Sequence, residues 1–275
     1  MKKILLTVLI VLVAVVSIVA MVGCSGTKVV VMAEAGSAGE DYAKDFVSKV
    51  PLTEYVSAQA QRDVLTELIA GTADIGIIDS IMANYYINTE GSSFKGKLEI
   101  VDLESEEEAY AIGFRKEDVY LTQKVNEALY QLQEDGTIGE IAKTYGLTDA
   151  LITFPEPNVD ESLDKSGYNY VINNGELIVG YTIFAPIAYE NADKQLIGFD
   201  TDVAKAVCAK LGVTAKFQEI DWNLKETELS SKNIDAIWNG MTRTDERAQA
   251  MSLSASYLKN KQVAVVRTGE QDKVN

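Results

Sequence analysis

The chain has 275 residues, 41 Asp and Glu against 25 Lys and Arg, a net charge of −16 and no histidine. That length supports one large domain or two small lobes with cores of their own. The acidic balance excludes a nucleic-acid partner, which needs a basic face. The missing histidine removes the commonest general base and the commonest metal ligand, so an enzyme starts at a disadvantage.

Lys2-Lys3 precede an apolar run over 4–22 and then Gly23-Cys24. A basic start, an apolar stretch and small residues form a secretory signal pattern, here residues 1–23. The run nearly reaches the length of a bilayer span, so a retained membrane anchor is the rival reading. Met21-Val-Gly-Cys24 resembles a bacterial lipobox, in which the cysteine becomes the lipidated first residue. Cys208 lies among Ala and Val on a predicted helix over 202–211. With Cys24 acylated it has no partner, and it reads as a buried, inert thiol.

Residues 28–33 are a β-branched run and predict a strand, followed by a Gly-rich turn over 34–39 and a helix from near Glu40. Neither phosphate-loop spacing is present. A small-ligand contact through Ser37 and nearby N–H groups fits the turn, and so does an ordinary strand-to-helix connection. A helix over 62–70 and a buried strand over 73–78 lead to Asp79. An acid at the carboxyl end of a buried strand is a candidate ligand group; the alternative is that it caps a helix over 80–87.

A strand follows over 98–103, and the acidic run 104–108 reads as a solvated loop. Residues 109–115 are strand-like, 121–133 form an amphipathic helix, and 138–145 form another, closed by Gly146. Residues 154–167 are polar, contain proline and lack an apolar period, which predicts a linker or an extended surface segment. A strand over 176–180 leads into an aromatic loop, 181–189, whose Phe184 is a candidate pocket wall. Asp200 and Asp202 open the helix that carries Cys208. They match no full calcium loop and read as N-capping groups.

A strand over 213–220 leads to Asp221-Trp222; Glu219, Lys225 and Glu226 read as solvated charges. The apolar run 234–238 predicts a short buried strand, broken by Asn239-Gly240, where glycine permits a turn and the close approach of a ligand. Thr244 then caps a helix that carries Arg247. Such a junction leaves N–H groups unpaired and makes an anion site. Thr242 adds a hydroxyl and Arg247 a planar fork that matches a carboxylate, although an isolated arginine is more often a solvated surface residue. A last strand covers 262–267, and the polar tail 268–275 reads as loose.

Two segments share a spacing. Thr66-Glu67-Leu68, Asp74 and Asp79 are spaced like Thr227-Glu228-Leu229, Asp235 and Gly240. The repeat predicts two similar α/β lobes, with Asp79 and Gly240 facing each other across a cleft.

Taken together, these residues resemble the extracytoplasmic amino-acid-binding proteins of polar amino-acid ABC importers, solute-binding family 3. The likeness runs through 198–206, Asp221-Trp222, 234–247 and 262–267, and through Ala35-Gly-Ser37, 71–79, 111–116 and 132–138. The order of the halves is swapped, because in the family the segment like 173–267 comes first. The resemblance therefore implies a two-lobed α/β type II periplasmic-binding fold, circularly permuted. It implies a tether over 24–27, a smaller lobe over 28–108 and a larger lobe over 109–267, with 151–172 joining the usual termini. The lobes would be joined by one covalent crossing, with 262–267 pairing beside 109–115 as the hinge.

The resemblance also implies roles. Arg247 would clamp the α-carboxylate of a free polar amino acid, helped by Thr242 and Ser37. Asp79 and the Gly240 carbonyl would receive the α-ammonium. Phe184 would form a wall, Trp222 would lie near the side-chain pocket and Asn239 at the site edge. No catalytic residue, metal or cofactor is implied. The expected setting is the extracytoplasmic face of a bacterial membrane, with lipidated Cys24 as anchor, an ABC permease as partner and a monomeric chain. Alternatives are an amino-acid-sensing lipoprotein that uses the same cleft, a lobe-swapped dimer, and a dehydratase of the kind this fold also hosts, which the lack of a nucleophile–base pair disfavours.

Overall fold

The computed structural model describes residues 28–274. The signal segment 1–23, Cys24 and the tether 24–27 lie outside the described residues. In chain order the strands are β1 (Val29–Glu34), β2 (Thr53–Ala58), β3 (Ile75–Asp79), β4 (Leu98–Asp102), β5 (Glu108–Tyr110), β6 (Gly113–Phe114), β7 (Glu176–Tyr181), β8 (Tyr189–Glu190), β9 (Leu196–Ile197), β10 (Thr214–Glu219), β11 (Ala236–Ile237), β12 (Ser252–Leu253), β13 (Leu258–Asn260) and β14 (Gln262–Arg267). The α-helices are α1 (Ala38–Lys49), α2 (Gln61–Ala70), α3 (Ser80–Asn88), α4 (Val119–Glu134), α5 (Thr137–Thr144), α6 (Ser166–Asn174), α7 (Phe199–Leu211), α8 (Lys225–Ser230) and α9 (Asp245–Ala250).

The apolar runs divide into two five-stranded sheets, ordered β2-β1-β3-β14-β4 and β10-β7-β11-β6-β12. In the first, β3 is buried at all five positions, as a strand covered on both faces must be. It lies between parallel β1 and antiparallel β14. In the second, β7 runs parallel to both β10 and β11. The sheets form two lobes, and a short antiparallel pair joins them: β5 and β13, with Tyr110 opposite Leu258 and Glu108 opposite Asn260. This is the two-lobed α/β architecture that the resemblance implies.

The expected lobe boundary is corrected at residues 262–267. β14 does not lie beside 109–115; it completes the smaller lobe's sheet between β3 and β4. The cause is in its sequence. Val263 and Val265 pack into one apolar cluster, and Ala264 and Val266 into another. A strand apolar on both sides needs a place inside a sheet, not at a hinge. The chain therefore crosses between lobes twice, through β5 and through β13, not once. The strand expected over 109–115 is split, because Tyr110 pairs in the hinge while Gly113 pairs with Ile237 of the larger lobe.

Three local expectations also fail. The 151–172 linker ends in α6, which buries only Val171 and so gives almost no apolar period. Asp200 does not cap α7; Gly198 holds the N-cap position without a side-chain bond, and Asp200 is 1 % exposed. The tail is held, since Lys273 Nζ lies 2.6 Å from Asp74 Oδ1 and Val274 packs on an apolar cluster. Edge strand β2 escapes the sequence reading because it is largely exposed. Cys208 is buried and free, as expected. No helix among the described residues is long and apolar enough to cross a membrane.

Candidate functional site

The carboxyl ends of β1, β3, β7 and β11 meet where the lobes face each other, as strand exits do in open α/β sheets. They enclose a narrow cleft whose free volume is about 10 Å³, room for roughly one water. Ser37, Asp79, Phe184, Trp222, Asn239, Gly240, Thr242 and Arg247 all line it. The structure thus brings together every residue that the sequence singled out for the cleft.

Asp79 ends β3 and directly precedes α3, yet its side chain makes no cap bond, so the capping alternative is set aside. Its carboxylate is buried and accepts hydrogen bonds from Gln61, Asn260 and Gln262. Burial raises its pKa to about 6, helped by the charge of Glu108 and opposed by the hydrogen bonds from Gln61 and Gln262. The acidic run yields a further correction: Glu108 is not solvated. Its Oε2 accepts from Thr242 Oγ1 at 3.1 Å and from Gln262 Nε2 at 2.9 Å.

On the other lobe, β11 ends and the chain turns at Gly240, whose φ is +63°. Asp200 positions this turn from below, with Oδ2 accepting from Gly240 N–H at 2.8 Å and from Tyr257 O–H at 2.7 Å. Burial pushes Asp200 up to about 7, against those two bonds. Thr244 caps α9 by accepting from Arg247 N–H, which fixes the root of Arg247. The guanidinium donates to Thr242 O at 2.6 Å and, across the cleft, to Gly36 O at 3.2 Å. Asn239 donates to Thr182 Oγ1, while its Oδ1 is buried without a partner.

Ser37 is on the cleft wall, but its groups are committed. The hydroxyl accepts from Glu40 N–H and donates to Glu34 O, and its own N–H also donates to Glu34 O. Ser37 is therefore the N-cap of α1 and aims the start of that helix at the cleft, where Ala38 joins the lining.

Two charges were missed. Glu34 closes β1 at 4 % exposure and lines the cleft. Burial raises its pKa to about 8, with the Asp79 charge adding and Lys225 opposing. An acid at the end of an apolar strand is the same signal that picked out Asp79. Lys225 was expected in solvent but is 4 % exposed. It donates to Gly36 O at 2.9 Å and to Trp222 O at 3.3 Å. Burial and then Arg247 lower it to about 8.

The result is two α/β lobes on a short double hinge, with a charged cleft between their strand ends. Residues 177–274 match the family described as bacterial extracellular solute-binding proteins, family 3. Curated relatives include the arginine-binding extracellular protein ArtP of Bacillus subtilis, 36 % identical over 83 residues that make up 30 % of this chain and 32 % of that protein. They also include the L-cystine-binding protein TcyJ of Escherichia coli, 30 % identical over 115 residues, 42 % of this chain and 43 % of that protein. The matches thus span less than half the length of these relatives. Among solved structures, an ABC uptake transporter substrate-binding protein of Streptococcus pneumoniae with bound histidine matches at 40 % identity with a TM-score of 0.30, over 30 % of this chain and 35 % of that one. All three are named as binding proteins.

Proposed function

We propose that this chain captures a free amino acid between its lobes as the extracytoplasmic binding component of an ABC importer. The observation that carries the reading is that Arg247 of one lobe and Asp79 of the other line the same closed cleft. A zwitterion taken out of water must have both charges met, or desolvation defeats binding. Arg247 meets the carboxylate, with the N-terminal turn of α1 and Thr242 beside it. Asp79 and the Gly240 carbonyl receive the ammonium, Phe184 and Trp222 form the walls, and Asn239 sits at the edge. Because the two charged groups come from opposite lobes, ligand favours the closed state. The ligands for which the curated relatives are named, arginine and cystine, support an amino acid as cargo.

The same proposal places lipidated Cys24 as the membrane anchor after removal of 1–23, on the strength of the N-terminal pattern. It also holds that the halves are circularly permuted and that the chain is a monomer. One observation supports the permutation: segments near the two described ends meet at Asp74, which bonds both Val30 N–H and Lys273 Nζ. Ends that lie together on a surface are what a permuted chain requires.

A thermal-shift screen of the twenty amino acids tests the central claim, because a ligand bound only by the folded state raises melting with the logarithm of its excess. At least one amino acid should raise it; a flat screen, with calorimetry confirming no binding, rejects the proposal.

A further inference from the structure

We propose that Glu34 reads the ligand's side chain, and that this side chain carries a positive charge, an ammonium or a guanidinium. The inference rests on the amino-acid reading and narrows it by charge balance. Three carboxylates converge at the cleft, Glu34, Asp79 and Glu108, against two cations, Arg247 and Lys225. A zwitterionic backbone takes up Asp79 and Arg247 and adds no net charge. Glu108 is held by Thr242, Gln262 and Asn260. Lys225 spends its donors on two backbone carbonyls and lies over the Trp222 ring at 5.1 Å.

Glu34 meets the neutral Gln61 amide but no cation at contact distance. Among the described residues it forms no ion pair within 4.0 Å, and yet it is buried in the lining. The groups that face it are Asp79 on β3, Gln61 and the exposed Asp63 on α2, and Lys225 on α8. Asp41 and Glu226, near Arg247, are exposed and screened. A neutral ligand would leave Glu34 protonated, a buried acid with no ion-pair partner. A cationic side chain supplies that partner and lets Glu34 ionise. The orphan Asn239 Oδ1 adds an acceptor to the same lining, where a side chain rich in donors finds partners.

A group raised to about 8 is mostly protonated at neutral pH, so binding of a cation displaces that proton. The test is titration calorimetry of the full chain at pH 7 with L-arginine, L-lysine, L-glutamine and L-glutamate, each in two buffers of different ionisation heat. Arginine or lysine should bind at least about 100-fold more tightly than glutamine, the scale set by leaving a buried charge unpaired. It should also release about one proton per ligand bound. Glu34→Gln should lose both the preference and the released proton. Glu34→Asp serves as a second variant should Glu34→Gln melt early; it should keep the direction of both effects at lower affinity. A wild-type chain that prefers glutamine or glutamate overturns the inference and leaves the amino-acid reading standing. So does a folded Glu34→Gln that still prefers the cation. Binding of no amino acid overturns the underlying reading itself.

Discussion

In the smaller lobe, Asp74 N–H donates to Val30 O, Val30 N–H donates to Asp74 Oδ2, and Arg267 grips Asp74 Oδ1 at 2.9 Å. In the larger lobe, Asp235 N–H donates to Ile178 O, Ile178 N–H donates to Asp235 Oδ2, and Arg115 grips Asp235 Oδ1 at 3.1 Å. The brace is the same, and so is the helix-to-strand loop before it, where Glu67 O and Glu228 O each take two N–H groups. The settings differ: Asp74 and Arg267 are 23 % and 24 % exposed, Asp235 and Arg115 2 % and 6 %. Five residues past each aspartate the lobes part company, one presenting Asp79 and the other Gly240. A common scaffold carries acids on one side, Glu34 and Asp79, and cations on the other, Arg247 and Lys225. On the proposed reading neither half alone satisfies a zwitterion, and binding would arise from the divergence of two similar strand ends.

The strongest way to break this picture is to remove one charge from each side. Arg247→Ala and Asp79→Ala should each weaken ligand binding by about 3–5 kcal/mol, since each leaves a buried partner charge unpaired. Calorimetry with the amino acid found by screening measures it, and affinity that survives either change would show that only one lobe recognises ligand. The braces sharpen the comparison through stability. Arg115→Ala should cost about 3–5 kcal/mol, because it strands buried Asp118 and Asp235. Arg267→Ala should cost about 1–2 kcal/mol, because its pair is partly solvated. Urea unfolding reads both, and equal losses would mean that burial does not distinguish them.

Gly240→Ala tests the site end of the larger lobe. An added Cβ would stand 2.6 Å from Phe184 Cε1 at a positive φ, so a loss of about 1–3 kcal/mol and weaker binding are expected. Gly71→Ala, at positive φ but in open space, should cost only about 1 kcal/mol and leave binding intact.

Acidity offers a smaller effect. Asp79, Asp200 and Glu34 sit at about 6, 7 and 8, above their ordinary values, so the folded chain holds protons that the unfolded chain has released. Their stabilising share is complete below the ordinary carboxylate range and is lost as pH rises through those values. Lys225, lowered to about 8, loses its share as pH falls through that value and so stays nearly constant below it. Melting of the ligand-free protein should therefore fall from about pH 4 to about pH 8. Asp200→Asn, which keeps an acceptor for Gly240 and Tyr257, should flatten that slope. The smallest expected effect is at the helix starts: Ser37→Ala and Thr244→Ala each remove a cap worth about 1 kcal/mol, read as a small drop in melting temperature.

Much of this was legible in the sequence because it lay in local pattern. The strand ending at Asp79, the Thr244 cap, the break at Asn239-Gly240 and the repeated spacing are all short-range signals. What escaped was set by partners far along the chain. Glu108 looked like one acid in a solvated run, and nothing local announced that Thr242 and Gln262 would meet it. Lys225 and Asp200 lie among polar neighbours, so their burial is invisible before the lobes pack. β14 was legible as a strand but not by address, since an apolar run on both faces says only that it is interior. Glu34 satisfies the rule applied to Asp79, but the glycines that follow it carry a stronger local signal, that of a turn.

The placement of β14 has a consequence for how the molecule is made. Although the smaller lobe opens the described chain, the strand that separates β3 from β4 is synthesised only after the whole of the other lobe. Until those six residues arrive, β3 and β4 each present an open edge ready to pair with the wrong chain. The half that emerges first during translation is thus finished last, and the larger lobe, contiguous in the chain, can mature while its companion waits.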